Sequence, residues 1–241
     1  MLQEYTEQWD ENFQKERKSL ENILDKNLIS IHHIGSTAIR GICAKPQIDI
    51  AVEVYDLEGA KILQEYGYIF KGEFNIPFRF FFSKNEPQIN LHVMLKGNHE
   101  LDNFISFRDY LNLHKDECKI YADIKRNNKH LFREKSENSI FNKYTLSKDE
   151  VIRSIIKRSG FDKICMRKVA HYFDFNYEKQ VAENNNLKIN EDAIRCVLYK
   201  GAEIIGYALG KDKNVIFIEA NEKHEEFLSY FLNYLSFLNK K

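Results

Sequence analysis

The chain has 241 residues and carries 36 basic and 36 acidic side chains, so its formal net charge is zero. Proteins that bind the nucleic-acid backbone usually have a basic excess, and this balance argues against that class. Hydrophobic residues make up 43% of the chain, enough for one large domain or two modest ones with a sizeable core.

The cysteines and the N-terminal segment indicate a cellular compartment. The four cysteines are far apart and show neither a Cys-x-x-Cys pair nor the spacing of a zinc site. Such cysteines are typical of free thiols in a reducing environment. The N-terminus is polar and acidic, unlike a signal peptide, and no run approaches the roughly 18 apolar residues of a membrane span. We therefore expect a cytoplasmic protein with no membrane partner.

The first predicted elements are a helix and two strands. Apolar residues recur at helical spacing over 4–25, which predicts an amphipathic helix. The stretch 29–37 starts as a strand and breaks at Gly35. Residues 48–54 alternate strictly, so four aliphatic side chains take one face of a strand and Asp49 points away from them.

The next elements continue this pattern. A helix over 57–66 is followed by two strands over 78–82 and 91–95. The alternation in these strands places Arg79 and His92 opposite their apolar neighbours. Polar groups from successive strands are therefore expected to gather on one face of a sheet.

Helices follow the strands. The pattern is helical from 103 to 133, and a further helix is expected to begin at Ser147, where Ser147 and Glu150 match a capping box. Ser159 and Gly160 predict its end. The basic segment 125–135 is the one place where nucleic acid could bind, although a solvated helix face is the favoured interpretation.

The C-terminal part predicts a small α/β unit. Strands are expected over 193–199, 203–209 and 215–219, followed by a last helix with aromatic residues on one face. We place the unit at 159–241, after a first domain at 1–158, with the boundary falling somewhere within 159–190.

The most informative stretch contains a glycine turn followed by a charged strand. Gly35 and Ser36 open a turn whose backbone N–H groups suit a phosphate, although a bare Gly-Ser-Thr is more often a simple strand-to-helix turn. Asp49 either binds a cation, acts as a base, or lies on a solvated strand face. Lys45 either neutralises a phosphate or is a surface lysine.

A resemblance to a known family then gives these residues a context. Residues 5–158 resemble the GrpB family, a branch of the nucleotidyltransferase superfamily. The motifs that carry the resemblance are HIGSTAIRGICAKPQIDIAVEV (33–54), GYIFKGE (67–73), PFRFFF (77–82), NLHVML (90–95), FRDYL (107–111) and YADIK (121–125). The resemblance implies an α/β (α+β) fold with a nucleotidyltransferase-like mixed sheet and flanking helices, and a nucleotide site.

The resemblance also implies roles for individual residues. It suggests catalytic roles for Asp49, Glu73 and His92, with Asp49 also the tentative metal ligand. The positions that it associates with ligand or phosphate binding are Gly35, Ser36, Lys45, Arg79, Arg108, Asp109 and Lys125. Arg40 departs from the family, which usually has proline there, and adds a further phosphate contact to the expectation.

The metal expectation meets a physical objection. Superfamily enzymes hold Mg²⁺ with carboxylates at i and i+2 of one strand, and here i+2 is Ala51. Glu53 shares the face but lies about 13 Å along the strand. His92 stands where a third carboxylate is expected, and imidazole is a poor Mg²⁺ ligand. Mg²⁺ at Asp49 is thus doubtful unless Glu73 folds inward.

We interpret the chain as a nucleotidyltransferase or nucleotide-binding protein of the GrpB family that acts on a nucleotide or another phosphorylated small molecule. One alternative is a catalytically inactive module that binds a phosphorylated ligand. The other is an acetyltransferase, since 193–238 resembles part of the GNAT fold. In that comparison 219–228 is acidic and lacks the glycine-rich turn that holds a pyrophosphate, which indicates a degenerate GNAT-like unit. The sequence specifies no oligomeric state.

Overall fold

The computed structural model describes residues 2–137 and 139–240 of the chain. The helices are α1 (Gln8–Leu24), α2 (Glu100–Leu113), α3 (Lys115–Asn127), α4 (Lys143–Leu146), α5 (Asp149–Arg158), α6 (Tyr172–Asn185) and α7 (His224–Leu238). The strands are β1 (Leu28–Ile34), β2 (Ile48–Val54), β3 (Ile69–Phe70), β4 (Arg79–Lys84), β5 (Ile89–Leu95), β6 (Ile164–Lys168), β7 (Ile194–Lys200), β8 (Glu203–Lys211) and β9 (Asn214–Ala220). None of the helices described combines the length and the apolar character needed to cross a bilayer.

The N-terminal sheet is mixed, in the order β1-β2-β5-β4-β3. Strands β2 and β5 run parallel, and the other neighbours are antiparallel. In this register Ala51 lies opposite His92, which in turn lies opposite Phe81. Because residues opposite each other share a face of the sheet, Asp49, His92 and Arg79 all project to the same side. The predicted mixed sheet with flanking helices is confirmed.

The opposite face of this sheet forms the main core. The aliphatic residues of β2 are fully buried there, together with Phe80 and Phe82 of β4, and α1 packs over them. The same core continues into the C-terminal part through Phe227 and Phe231 of α7. The second sheet, antiparallel in the order β6-β7-β8-β9, therefore shares an apolar core with the first.

Several elements differ from the sequence expectation. The helix predicted over 57–66 is a 3-10 helix, Gly59–Tyr66, that ends at the left-handed Gly67. Strand β6 and helix α6 were not predicted, because neither shows a clean apolar period. Strands β1, β2, β4 and β5 and the three later strands lie where the alternation placed them, within a few residues.

The predicted capping box at Ser147 is wrong. The Ser147 hydroxyl donates to the carbonyl of Tyr144 at 3.0 Å, so it completes the short helix α4 instead of capping the next one. Helix α5 then begins at Asp149. Its predicted stop is confirmed, since Ser159 ends the helix and Gly160 adopts a φ of 74°.

Glu73 ties the two parts of the chain together. Its carboxylate accepts from the backbone N–H of Phe78 at 2.8 Å and from the Tyr234 hydroxyl of α7 at 2.5 Å. Lys168 of β6 lies 2.9 Å from the same carboxylate. Glu73 itself is 7% exposed. A buried carboxylate is tolerated only with such partners, and here two of them come from the C-terminal part.

Replacing Tyr234 by Phe tests the hydrogen bond between the Tyr234 hydroxyl and the Glu73 carboxylate. We expect the free energy of unfolding to fall by about 1–3 kcal/mol, because Glu73 loses a donor inside the core. Urea unfolding followed by circular dichroism measures the change. Tyr230→Phe is the matched control, since Tyr230 also packs on the Phe78 ring, with centroids 5.2 Å apart. Equal losses in the two variants would contradict the role given to the Tyr234 hydroxyl.

Candidate functional site

A cavity of about 340 Å³ lies over the polar face of the N-terminal sheet. Helices α2 and α5 form its sides, and the segment from β6 to α6 covers it with Arg167, His171 and Phe173. Asp49, Arg79 and His92 all line it, so the structure brings these three sequence-predicted residues together. The volume falls within the range of small-molecule sites.

Gly35 and Asp49 meet at one end of this cavity. Gly35 has a φ of 69° and a ψ of −167°, a conformation that only glycine adopts readily. A Cβ atom at this position would lie 2.4 Å from Oδ2 of Asp49. The backbone of the turn thus approaches the carboxylate closely, and Asn90 donates to its other oxygen at 2.8 Å. Burial raises the pKa of Asp49 to about 6.

Three lysines surround this carboxylate. Lys125 is 2% exposed and donates to the carbonyl of Cys43 at 2.5 Å, and burial lowers its pKa to about 7. Burial also lowers the pKa of Lys148 to about 8. Lys45 lies over the Phe132 ring at 4.2 Å. All three are near enough to oppose the rise in the pKa of Asp49. Positive charges therefore outnumber the carboxylate in the region of Asp49, although none of the three lysines lines the cavity itself.

The donor set does not fit the two-metal arrangement. Ala51 follows Asp49 on the same face, and the carboxylate of Glu53 accepts from the backbone N–H of Gly97 at 2.8 Å. Glu73 does not fold inward, as its carboxylate is directed at Tyr234 and Lys168. Among the residues described, no cluster of three His, Cys, Asp or Glu side chains could hold a metal. The lysines around Asp49 would also repel a cation.

Arg79 and His92 form a fixed pair beside Asp49. Arg79 is 3% exposed, and its guanidinium donates to the carbonyl of Glu73 and to Nδ1 of His92, both at 3.1 Å. Because arginine only donates, Nδ1 accepts and the other ring nitrogen, Nε2, carries the proton. Burial and the charge of Arg79 hold the pKa of His92 well below its usual value, so the ring is neutral.

Other predicted site residues lie outside the cavity lining. Arg108 donates to the carbonyl of His33 at 2.8 Å and to the exposed Asp109 at 2.7 Å, which braces α2 on β1. Glu73 belongs to the contact with α7. Ser36 begins a short 3-10 turn, Ser36–Ala38. Lys45 and Lys125 belong to the charged environment of Asp49 without lining the cavity itself.

Two further sequence expectations can be compared with the structure. The side chain of Arg40 is exposed, and its backbone N–H donates to Oδ1 of Asn112 at 2.9 Å, a bond that a proline could not make. The basic segment 125–135 is not a uniformly solvated face, because its first residue is buried. Arg126 in the same segment is paired with Glu4 and Asp123.

Sequence reasoning missed an ion pair that reaches the cavity from the C-terminal part. Glu100 is 1% exposed. Arg167 of β6 donates to its carboxylate from Nε at 2.5 Å and from Nη2 at 3.0 Å. Glu100 looks like an ordinary acidic residue in the first turn of a helix, and Arg167 lies in a strand with no clear pattern. No local signal connects two residues so far apart in the chain.

A histidine–aspartate pair was missed for the same reason. Nδ1 of His171 lies 2.9 Å from Oδ2 of Asp149, and both residues line the cavity. The His171 ring packs on Phe141 with centroids 4.3 Å apart. Lys148, the residue that flanks this aspartate, was also overlooked. Lys148 lies within the apparent capping box of Ser147 and Glu150, so the local pattern indicates a helix cap and gives no sign of a charge near Asp49.

The turn at Gly35 predicts a selective cost of mutation. Gly35→Ala should lower the free energy of unfolding by at least about 1–3 kcal/mol. The left-handed backbone is strained for alanine, and the new Cβ atom also displaces Asp49. Gly41→Ala is the control, since Gly41 has a φ of 80° with open space around a Cβ atom. Chemical unfolding of both variants measures the difference. Equal losses of stability in the two variants would mean that the Asp49 side chain can move away from the new Cβ atom at no cost in free energy.

The raised pKa of Asp49 predicts a pH-dependent gain in stability for Asp49→Asn. The folded pKa of about 6 exceeds the ordinary value of 3.8 for an aspartate, so ionisation of Asp49 destabilises the native state as the pH rises through this window. At pH 7.5 the variant should be more stable by about 1–3 kcal/mol, and the gain should vanish near pH 4. Thermal unfolding across this pH range measures the effect.

Asp109→Asn serves as the control for this change. Asp109 lies at the surface beside Arg108, so we expect its substitution to change stability by less than about 0.5 kcal/mol at either pH. A clear loss of stability for Asp49→Asn at pH 7.5 would instead make Asp49 a structural partner of the lysines. It would then have no place in the candidate site.

Comparison with known proteins gives this site a family context. The family described as GrpB protein matches residues 1–158. Protein YqkA of Bacillus subtilis is 36% identical over 156 residues, which cover 62% of this chain but only 44% of that relative. A protein of Halalkalibacterium halodurans is 31% identical over 165 residues, covering 66% of this chain and 82% of the relative.

A solved structure agrees with the family match. The crystal structure of the conserved protein GrpB from Enterococcus faecalis is 28% identical, with a TM-score of 0.58, and covers 66% of this chain and 96% of that chain. A Cid1 poly(U) polymerase aligns with a TM-score of 0.33 and 11% identity, too distant to support an argument. The chain therefore belongs to the GrpB family through residues 1–158, the part that ends with helix α5.

Proposed function

We propose that this chain binds a phosphorylated ligand of the nucleotide class in the cavity over its N-terminal sheet. The observation that supports the proposal most directly is the charge at Asp49. Three lysines accompany a single carboxylate there, beside the close backbone turn at Gly35.

The lysines explain why an anion would bind. Burial is the main cause that lowers the pKa of Lys125 and of Lys148, and the charges of Lys148 and Lys45, respectively, lower these pKa values further, so the ammonium groups repel one another in a partly desolvated environment. Asp49 compensates only one of the three charges. A phosphate would relieve the remaining repulsion and accept hydrogen bonds from the ammonium groups.

The walls of the cavity suit the rest of a nucleotide. Phe104 and Phe107 of α2 and Phe173 of α6 line it alongside Ile152. Aromatic and aliphatic walls with a few fixed polar groups are typical of small-molecule sites, and nucleobases stack on aromatic rings. The site thus combines an electropositive end with an apolar body.

Nucleotidyl transfer is the second candidate function, and the position and pKa of Asp49 favour it. A carboxylate with a pKa of about 6 suits general base catalysis near neutral pH. In such a reaction an acceptor hydroxyl oxygen would attack the α-phosphorus while Asp49 takes its proton. The bond from the α-phosphorus to the bridging oxygen would break, and pyrophosphate would leave with the electron pair. Because the donor set does not fit two Mg²⁺ ions, we assign no step to a metal.

The acetyltransferase alternative gains no support from the cavity. The first turn of α7 carries Glu225 and Glu226, which favour the helix dipole but would repel a pyrophosphate. This turn does not line the cavity described above. Coenzyme A therefore serves as a comparison ligand in the binding experiment.

The proposal predicts metal-independent binding that depends on Lys148. ATP, CTP or GTP should raise the melting temperature without Mg²⁺, and coenzyme A, which also contains an adenine nucleotide, is compared with them. Lys148→Met should weaken nucleotide binding about tenfold or more at pH 7, because one charge-assisted hydrogen bond is lost. Lys157→Met on helix α5 is the control, since Lys157 is a surface lysine paired with Glu203. Thermal shift and calorimetric titration measure both effects.

The same titration has a predicted pH dependence. Phosphate binds the charged form of the lysines, whose folded pKa values are about 7 for Lys125 and about 8 for Lys148. Affinity should therefore fall as the pH rises from 7 to 9, and binding should take up protons in this range. Stabilisation that requires Mg²⁺ would favour the metal-dependent enzyme instead. No response to any nucleotide would refute the proposal.

A further inference from the structure

We infer that the cavity reads an amino group of the bound nucleotide through Asn103, so that the preferred ligand carries an amino-bearing base such as adenine or cytosine. The inference rests on the proposed nucleotide site and specifies its ligand. It also gives the C-terminal part of the chain a role in that site.

Asn103 places an unused acceptor in the wall of the cavity. The residue lies on α2, is 3% exposed and lines the cavity. Its Oδ1 atom is buried and has no hydrogen-bond partner within residues 2–137 and 139–240. Buried polar atoms are nearly always paired, so an unpaired acceptor in the wall of a cavity is a candidate partner for a donor on a ligand.

The orientation of this amide is fixed by its neighbour. Nδ2 of Asn103 donates to Oε2 of Glu100 at 3.1 Å. A carboxylate only accepts, so the amide nitrogen must face Glu100, and Oδ1 is the atom of this amide that is left without a partner. A rotated amide would place two acceptors against each other and leave a donor toward the ligand.

Arg167 fixes Glu100 in turn. Its guanidinium binds both oxygens of the carboxylate, through Nε at 2.5 Å and Nη2 at 3.0 Å, and lies 4.6 Å from the Tyr199 ring. With both oxygens occupied, Glu100 serves to orient Asn103. Arg167 lies beyond the GrpB match, so a residue of the C-terminal part determines which atom of Asn103 meets the ligand.

The surroundings of Asn103 favour a planar base as the donor. Phe104 and Phe107 follow it on α2 and line the same cavity with Tyr199. An acceptor among flat apolar walls suits an exocyclic amino group on an aromatic ring, which can stack and donate in one plane.

The position along the sheet separates this acceptor from the lysines. Glu100 is close enough to Arg79 of β4 to affect its pKa, whereas the lysines surround Asp49 of β2. Strand β5 lies between β2 and β4, so the two strands are about 10 Å apart. Phosphate at Asp49 and a base at Asn103 would therefore occupy different ends of one ligand.

The test compares nucleotides that differ at the amino group. Calorimetric titration of the full chain without Mg²⁺ would measure ATP against ITP, and CTP against UTP, with tripolyphosphate as a ligand that has no base. We expect the amino-bearing member of each pair to bind about tenfold tighter, the value of one hydrogen bond. Each pair shares its ribose, so contacts with sugar hydroxyls cancel.

The outcomes separate this inference from the proposed function. Equal affinities within each pair, with tripolyphosphate still bound, would overturn the base-reading role of Asn103 and leave phosphate binding intact. Absence of binding by all five compounds would overturn both. A preference for ITP and UTP would also refute the inference, because those bases present a carbonyl oxygen where the amino group was expected.

A variant pair completes the experiment. Asn103→Leu should reduce the affinity ratio within each pair to about one while tripolyphosphate binds as before, since the charged end is unchanged. Ser106→Ala on the same helix should keep the wild-type ratio. If Asn103→Leu does not fold, as judged by circular dichroism, Asn103→Ala replaces it, and the wild-type ratios alone already decide the question.

Discussion

Two buried carboxylates of the N-terminal part depend on cations from one strand of the C-terminal part. Glu73 is paired with Lys168, and Glu100 is paired with Arg167, the preceding residue on β6. Adjacent residues of a strand point to opposite faces, so one dipeptide can satisfy both carboxylates on either side of the strand. Removing either cation would leave a buried charge without compensation, which is among the costliest defects in a protein interior.

This constraint also creates the cavity. The pairing of Arg167 with Glu100 holds β6 over the polar face of the N-terminal sheet, and the segment after β6 brings His171 and Phe173 to the same space. Without that cover, the face carrying Asp49 and His92 would be an open surface. Asp49 lines this covered space, and its burial raises the pKa of its carboxyl group.

The part of the candidate site that could be predicted from sequence is the part that lies on strands. Alternation with a period of two places Asp49, Arg79 and His92 on polar faces, and the register of β2, β5 and β4 then brings them to one side of the sheet. The break at Gly35 was also predictable, because a glycine that ends a strand before a charged strand permits a close approach. The family resemblance pointed to the same residues by an independent route.

Local pattern alone determined most of the strands, several of the helices, the apolar core face of β2 and the polar face opposite it. Only the tertiary structure determined which partner each buried charged side chain has. It turned Glu73 away from the cavity toward Tyr234, buried Lys125 against Cys43, and joined Glu100 to Arg167 across more than sixty positions. The physical reason is that periodicity reports which side of an element is buried, whereas the partner of a buried charge depends on where distant elements pack.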